Sequence, residues 1–97
     1  MRFQDKVVVV TGAAGGIGTA IATRFASEGA RVVVTDVNVE GVEASATAIR
    51  ASGGKARGVA EDISKAEGCK AVVADVLACE GRIDVLCNNA GINRRGA

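Results

Sequence analysis

Val7 to Val10 form an unbroken apolar run, and Thr11-Gly12-Ala13-Ala14-Gly15-Gly16-Ile17-Gly18 follows it directly. An apolar run without alternation suits a strand covered on both faces. The glycines that come next permit a tight turn and a close backbone approach. An alanine-rich amphipathic stretch begins near Ile17. The order is buried strand, glycine turn, helix. A helix start aims unpaired N–H groups and the positive end of its dipole at whatever sits on the turn, so a large anion is the expected ligand, and a dinucleotide pyrophosphate fits it.

The same alternation repeats along the chain. Lys6 to Thr11 is the first strand, and a helix from about Gly16 to Glu28 carries Ile17, Ile21 and Phe25 at helical spacing. Gly29 is placed to end it. Arg31 to Asp36 is the second strand. Asn38 is placed as the N-cap of a second helix bearing Val39, Val42, Ala46 and Ile49, which Ser52-Gly53-Gly54 stops. Lys55 to Ala60 is a third strand, diluted by Arg57 and Gly58. Ser64-Lys65-Ala66-Glu67 reads as a capping box opening a third helix to about Glu80, with Cys69, Val72, Val73, Val76 and Leu77 as its apolar face. Gly81 ends that helix, and Ile83 to Asn88 is a fourth strand. Strands alternating with helices imply crossovers and a parallel sheet. The expected fold is α/β: a partial, Rossmann-like doubly wound sheet of four strands in the order 3-2-1-4 with three helices.

Ninety-seven residues make one domain, 1–97, and the only aromatics are Phe3 and Phe25. With twelve basic and eleven acidic residues interspersed, and no aromatic platform for bases, nucleic acid is not an expected partner. Arg94-Arg95 reads as a solvated pair. Cys69, Cys79 and Cys87 have no metal-ligand spacing, and they read as small buried residues in a reducing compartment. No signal-peptide pattern opens the chain and no apolar run is long enough to span a bilayer, so a cytoplasmic protein with no membrane partner is expected.

The glycine turn has the pattern TGxxxGxG, in Thr11, Gly12, Gly16 and Gly18, with strand before and helix after. Asp36 ends the second strand. A carboxylate there accepts hydrogen bonds from both ribose hydroxyls of an adenosine and repels a 2′-phosphate. Neither Ala13-Ala14 nor Val37 supplies the cation a 2′-phosphate would want, which favours NAD over NADP.

Together, Thr11 to Gly18, Asp36, Asp62-Ile63 and Asn88-Asn89-Ala90-Gly91 resemble the short-chain dehydrogenase/reductase family, over essentially the whole chain and in order. The resemblance implies that Thr11, Gly12, Gly16, Ile17 and Gly18 line the pyrophosphate side of the cofactor site. It implies that Asp36 selects NAD, that Asp62 and Ile63 touch the adenine, and that Asn89, Ala90 and Gly91 steady the sheet and contact cofactor ribose. It also implies hydride transfer between NAD and an alcohol or carbonyl. In the family a Tyr and a Lys in a YxxxK motif, with a Ser and an Asn, lie downstream of NNAG. This chain has no Tyr, no His and no Trp, and none of Ser27, Ser45, Ser52 or Ser64 lies after NNAG. Asn93 stands too soon after Gly91 to take the catalytic asparagine's role. No catalytic residue and no metal ligand is assigned, and these 97 residues alone are expected to be inactive. The expectation is therefore a truncated NAD-binding portion of such an enzyme. The alternative is a non-catalytic dinucleotide-binding or self-assembling half-Rossmann module. A methyltransferase-type Rossmann domain is disfavoured by the Thr11-led turn and NNAG. The fourth strand would lie at the sheet edge, with Val85, Leu86 and Cys87 on it, and a homo-oligomer through that edge is expected.

Overall fold

The computed structural model describes residues 2–89. Four parallel strands, β1 (Val7–Thr11), β2 (Arg31–Asp36), β3 (Lys55–Ala60) and β4 (Val85–Asn88), form one sheet in the order β3-β2-β1-β4. Helices α1 (Gly16–Ser27), α2 (Val39–Ala51) and α3 (Ala66–Cys79) connect them. This is the doubly wound architecture that the alternating pattern implies.

The valines of β1 and β2 divide the core. Val8, Val10, Val32 and Val34 face α1 and α2, where Ala22, Ala26, Val42, Ala46 and Ile49 close over them. Val7, Val9 and Val33 face the other way, onto Val72 and Val76 of α3. Alternate side chains of one strand point to opposite faces, so a run of four valines serves both layers. The first layer is the larger. On the α3 side Val73, Leu77 and Leu86 remain exposed beside a shallow apolar groove.

Gly58 does not weaken β3, because its missing side chain is filled by Val42. A Cβ there would run into Val42 Cγ1. Arg57 on the same strand reaches the C-terminal end of α3. It donates to Glu80 through Nε at 2.8 Å and Nη2 at 2.9 Å, and to Asp75 as well. Those two carboxylates hold the guanidinium firmly protonated, Glu80 being the larger influence.

Four expectations need correction. The capping box does not form. Asp62 Oδ1 instead takes the N–H of Ser64 at 3.0 Å and its hydroxyl at 2.6 Å, and α3 starts one residue later with Lys65 as an uncapped N-cap. The fourth strand starts at Val85, not Ile83, because the preceding residues are otherwise engaged. Asp84 bridges to β1, taking the Val7 N–H on Oδ2 at 2.8 Å and returning its own N–H to the Val7 carbonyl at 2.9 Å. Ile83 packs into the smaller core layer. Ile17 lies off the buried face of α1, where Gly18, Ala22 and Ala26 make the close contact and Ile21 and Phe25 only flank it. The cysteines are not buried: Cys69 and Cys79 are exposed on α3 and Cys87 is half-buried. Alpha-3 covers its sheet face with two valines only, which leaves the positions around them in solvent.

Candidate cofactor site

Parallel strands carry all their C-terminal ends to one rim, and that rim gathers the residues singled out by motif. Thr11 ends β1 beside Thr35 of β2 and Asn88 of β4, Asp36 ends β2, and Asp62 follows β3. Open α/β sheets bind ligands in the crevice outside this edge.

The glycine turn is held from several sides. Gly12 has φ 65°, which a residue with a side chain rarely adopts. The Ala13 N–H donates to the Thr35 carbonyl at 3.2 Å. The Thr19 hydroxyl of α1 donates to the Ala13 carbonyl at 2.8 Å, and the Ser45 hydroxyl of α2 backs Thr19 at 3.4 Å. Buried Asn89 donates through Nδ2 to the Gly12 carbonyl at 3.3 Å, so the asparagine after β4 is tied to the turn after β1. The Thr11 hydroxyl lies 3.0 Å from Asn88 Oδ1 and 3.3 Å from the Cys87 carbonyl, crossing the same pair of strands. Ala90 and Gly91 lie outside the described residues, as does the Arg94-Arg95 pair.

Asp36 is half-buried and faces the turn. Its Oδ2 accepts the Ala14 N–H at 3.1 Å, and its Oδ1 accepts the Asn38 N–H at 3.2 Å. Each carboxylate oxygen keeps a further lone pair, so hydroxyl donors from a ribose can still be received. Asn38 caps α2 as its position suggests, taking the Gly41 N–H on Oδ1 at 3.0 Å. The carboxyl of Asp62 is held below the usual carboxylate range, first by the Ser64 hydroxyl and then by the Ser64 N–H.

The turn suits a large anion on physical grounds. At Gly16 a Cβ would meet nothing within 4 Å, and φ there is not positive. Neither packing nor backbone conformation calls for glycine, so open space in front of the N-terminus of α1 is what the missing side chain leaves. That N-terminus has no side-chain cap and no acidic residue in its first turn, and among the described residues nothing takes its amides, which suits an anion. Ile17, 58% exposed, stands at the same opening. At Gly18 the reason is the opposite one: a Cβ would run into the carbonyl of Gly12, so only glycine lets α1 close on the turn.

Motif reading missed two further glycines. The third residue of every helix is glycine: Gly18 in α1, Gly41 in α2 and Gly68 in α3. A Cβ at Gly41 would lie 2.6 Å from Ala14 Cβ, and one at Gly68 would run into the Asp62 carbonyl. Each helix thus presses its first turn on a loop of the rim. Thr19, Ser45 and Asn38 also belong to the supporting shell. The spacing of glycine from each helix start was the available signal, but it has meaning only once the helix starts are known.

The model of the short chain dehydrogenase family matches residues 6–97. The short-chain reductase protein NovJ of Streptomyces niveus is 48% identical over 91 residues, covering 94% of this chain and 35% of that protein. A metagenomic short-chain oxidoreductase solved in complex with NADP superposes with a TM-score of 0.83 at 45% identity, over 89% of this chain and 39% of that one. An NAD+-bound xylitol dehydrogenase superposes with a TM-score of 0.84 at 37% identity, over 89% of this chain and 33% of the other. The chain spans just over a third of the length of the curated relatives it matches.

Proposed function

The chain belongs to the short-chain dehydrogenase/reductase family, and from that membership we propose that it forms the NAD-binding part of an oxidoreductase acting on an alcohol or carbonyl. The family uses a nicotinamide dinucleotide. When bound, that group supplies the hydride acceptor or donor. The residues of this chain would bind and orient its adenosine and pyrophosphate end: the amides of the α1 N-terminus toward the phosphates, Asp36 toward the ribose, and Asp62 and Ile63 toward the adenine.

One observation supports NAD over NADP. Asp36 is fixed by two backbone amides with its carboxylate at the turn, and Ala13, Ala14 and Val37 beside it carry no charge. Among these residues a 2′-phosphate would meet an anion and no cation. One similar solved structure carries NADP and the other NAD+, so the choice rests on these local residues. The Tyr/Lys pair implied by the resemblance has no tyrosine to draw on within these residues, whose part is binding and not proton transfer.

Calorimetric titration of the 97-residue chain with NAD and NADP tests this. NAD is expected to bind more tightly by about tenfold, near 1.4 kcal/mol, and Asp36→Ala to narrow the gap. Equal affinities in the unmodified chain would overturn the role of Asp36.

A second reading, a module that pairs with a copy of itself, is favoured by β4. Among the described residues that strand has a neighbour on one side only, and Leu86 on it is 61% exposed. The two readings are compatible, since the rim and the β4 edge are different surfaces. No helix among the described residues is long and apolar enough to cross a membrane.

A further inference from the structure

We infer that Gly41 is a positioning residue for cofactor discrimination, holding Asp36 in place through the close seating of α2 on Ala14. This rests on the reading of Asp36 given above.

The Asp36 carboxylate has two backbone anchors, and they come from two different pieces of chain: the Ala14 N–H of the glycine turn on Oδ2, and the Asn38 N–H at the entry to α2 on Oδ1. Gly41 is the point at which these two pieces meet. A Cβ at position 41 would stand 2.6 Å from Ala14 Cβ, 3.1 Å from Asn38 Nδ2 and 3.2 Å from Asn38 Cγ. The first distance is shorter than real Cβ contacts, so something must shift. The contact on the turn side is a methyl attached directly to the backbone, which cannot swing aside. Either Ala14 retreats and its N–H leaves Oδ2, or the first turn of α2 retreats and takes Asn38 with it. The Gly41 N–H is itself bound to Asn38 Oδ1 at 3.0 Å, so the helix and its cap move together. In both cases Asp36 loses an anchor. The carboxylate then no longer faces the ribose position in one fixed orientation, and the penalty on a 2′-phosphate weakens with it.

The sign of the expected change separates this role from a structural one. Alanine is preferred to glycine inside a helix, so at a position with free space Gly41→Ala would raise stability and leave cofactor choice alone. Here it is expected to reduce the NAD-to-NADP affinity ratio by about fivefold, as for the loss of one hydrogen bond.

The experiment titrates NAD and NADP into four forms of the chain: unmodified, Gly41→Ala, Ala14→Gly, and the double variant, which moves the methyl from one side of the contact to the other. Both single variants are expected to lower the ratio, Gly41→Ala by crowding and Ala14→Gly by leaving a gap. The double variant is expected to recover most of it. An unchanged ratio in Gly41→Ala, or a double variant no better than the single ones, overturns the inference. Should Gly41→Ala fail to fold by circular dichroism, the comparison of Ala14→Gly with the double variant still decides, since only a shared contact predicts recovery. If the unmodified chain itself shows no preference for NAD, the reading of Asp36 has failed first, and Gly41 loses its role with it.

Discussion

Gly16 and Gly18 stand two residues apart on α1 and are glycine for opposite reasons. Gly18 is closed in by the Gly12 carbonyl, whereas Gly16 faces open space. Substitutions at the two should therefore separate folding from binding. Gly18→Ala is expected to lower stability by about 1–3 kcal/mol through overpacking against backbone, read as a lower urea midpoint. Gly16→Val is expected to leave that midpoint nearly unchanged while abolishing NAD binding by filling the approach to the α1 amides. A Gly16→Val chain that still binds NAD would mean the phosphates do not lie on this turn. At this scale the sequence was readable wherever a residue works through its own chain neighbourhood, as with the Asn38 cap or the glycine turn. It was not readable where the reason is a contact across the fold. Nothing local marks Gly41 as the seat for Ala14 or Gly68 as the seat for the Asp62 carbonyl, and nothing local puts Cys69 and Cys79 in solvent.

Among the elements, β4 shows why boundaries drift. Ile83 continues the apolar pattern of the strand, yet Asp84 intervenes, with Oδ2 on the Val7 N–H and Oδ1 on Arg82 Nη2 at 2.7 Å. Periodicity counts apolar residues and is blind to a carboxylate that bridges two strands. The Arg82 side chain, first, and the Val7 N–H, second, hold the Asp84 carboxyl below its usual range, as Ser64 does for Asp62. A carboxyl lowered on folding contributes stability that is full above its unfolded pKa of about 3.9 and is lost as pH falls through the lower folded value. The urea midpoint is thus expected to be flat above about pH 5 and to decline below about pH 4. Asp84→Asn should decline less over the same interval, and an identical acid limb in the variant would remove Asp84 from the account. The capping box fails for a related reason: Asp62 Oδ1 takes the Ser64 N–H that the Glu67 carboxylate would receive in such a box.

For the whole molecule, alternation of apolar strands with amphipathic helices was enough to give the sheet order, because parallel strands need crossovers and few arrangements satisfy them. What alternation does not show is how unequally the two faces are covered. The layer under α1 and α2 is closed, and the layer under α3 rests on few residues. Val73 and Leu77 of α3 and Leu86 of β4 lie exposed, and among the described residues β4 is paired on one side only; such an edge templates pairing with another chain. Sedimentation at tens of micromolar is expected to show dimers or larger species. Leu86→Lys should shift the population toward monomer with little loss of stability, because Leu86 faces outward, whereas Val85→Lys should also unfold the chain, since Val85 packs against the larger core layer. A monodisperse monomer before any substitution would refute pairing through this face.

The pairing of β1 with β4 carries a consequence for biosynthesis. Val7 and Asp84, which meet at the start of that pair, are 77 positions apart. A ribosome adds about 5–20 residues per second, so roughly 4–15 s separate the emergence of the two. By then β2 and β3 can already have docked on one flank of β1, while the other flank of its valine run still waits for a partner. Asn89, which ties the glycine turn from β4's end, emerges later still. The nascent chain therefore passes through a stage in which its most apolar strand is half clothed and its ligand loop half anchored, and that stage is where a holding chaperone would have most to protect.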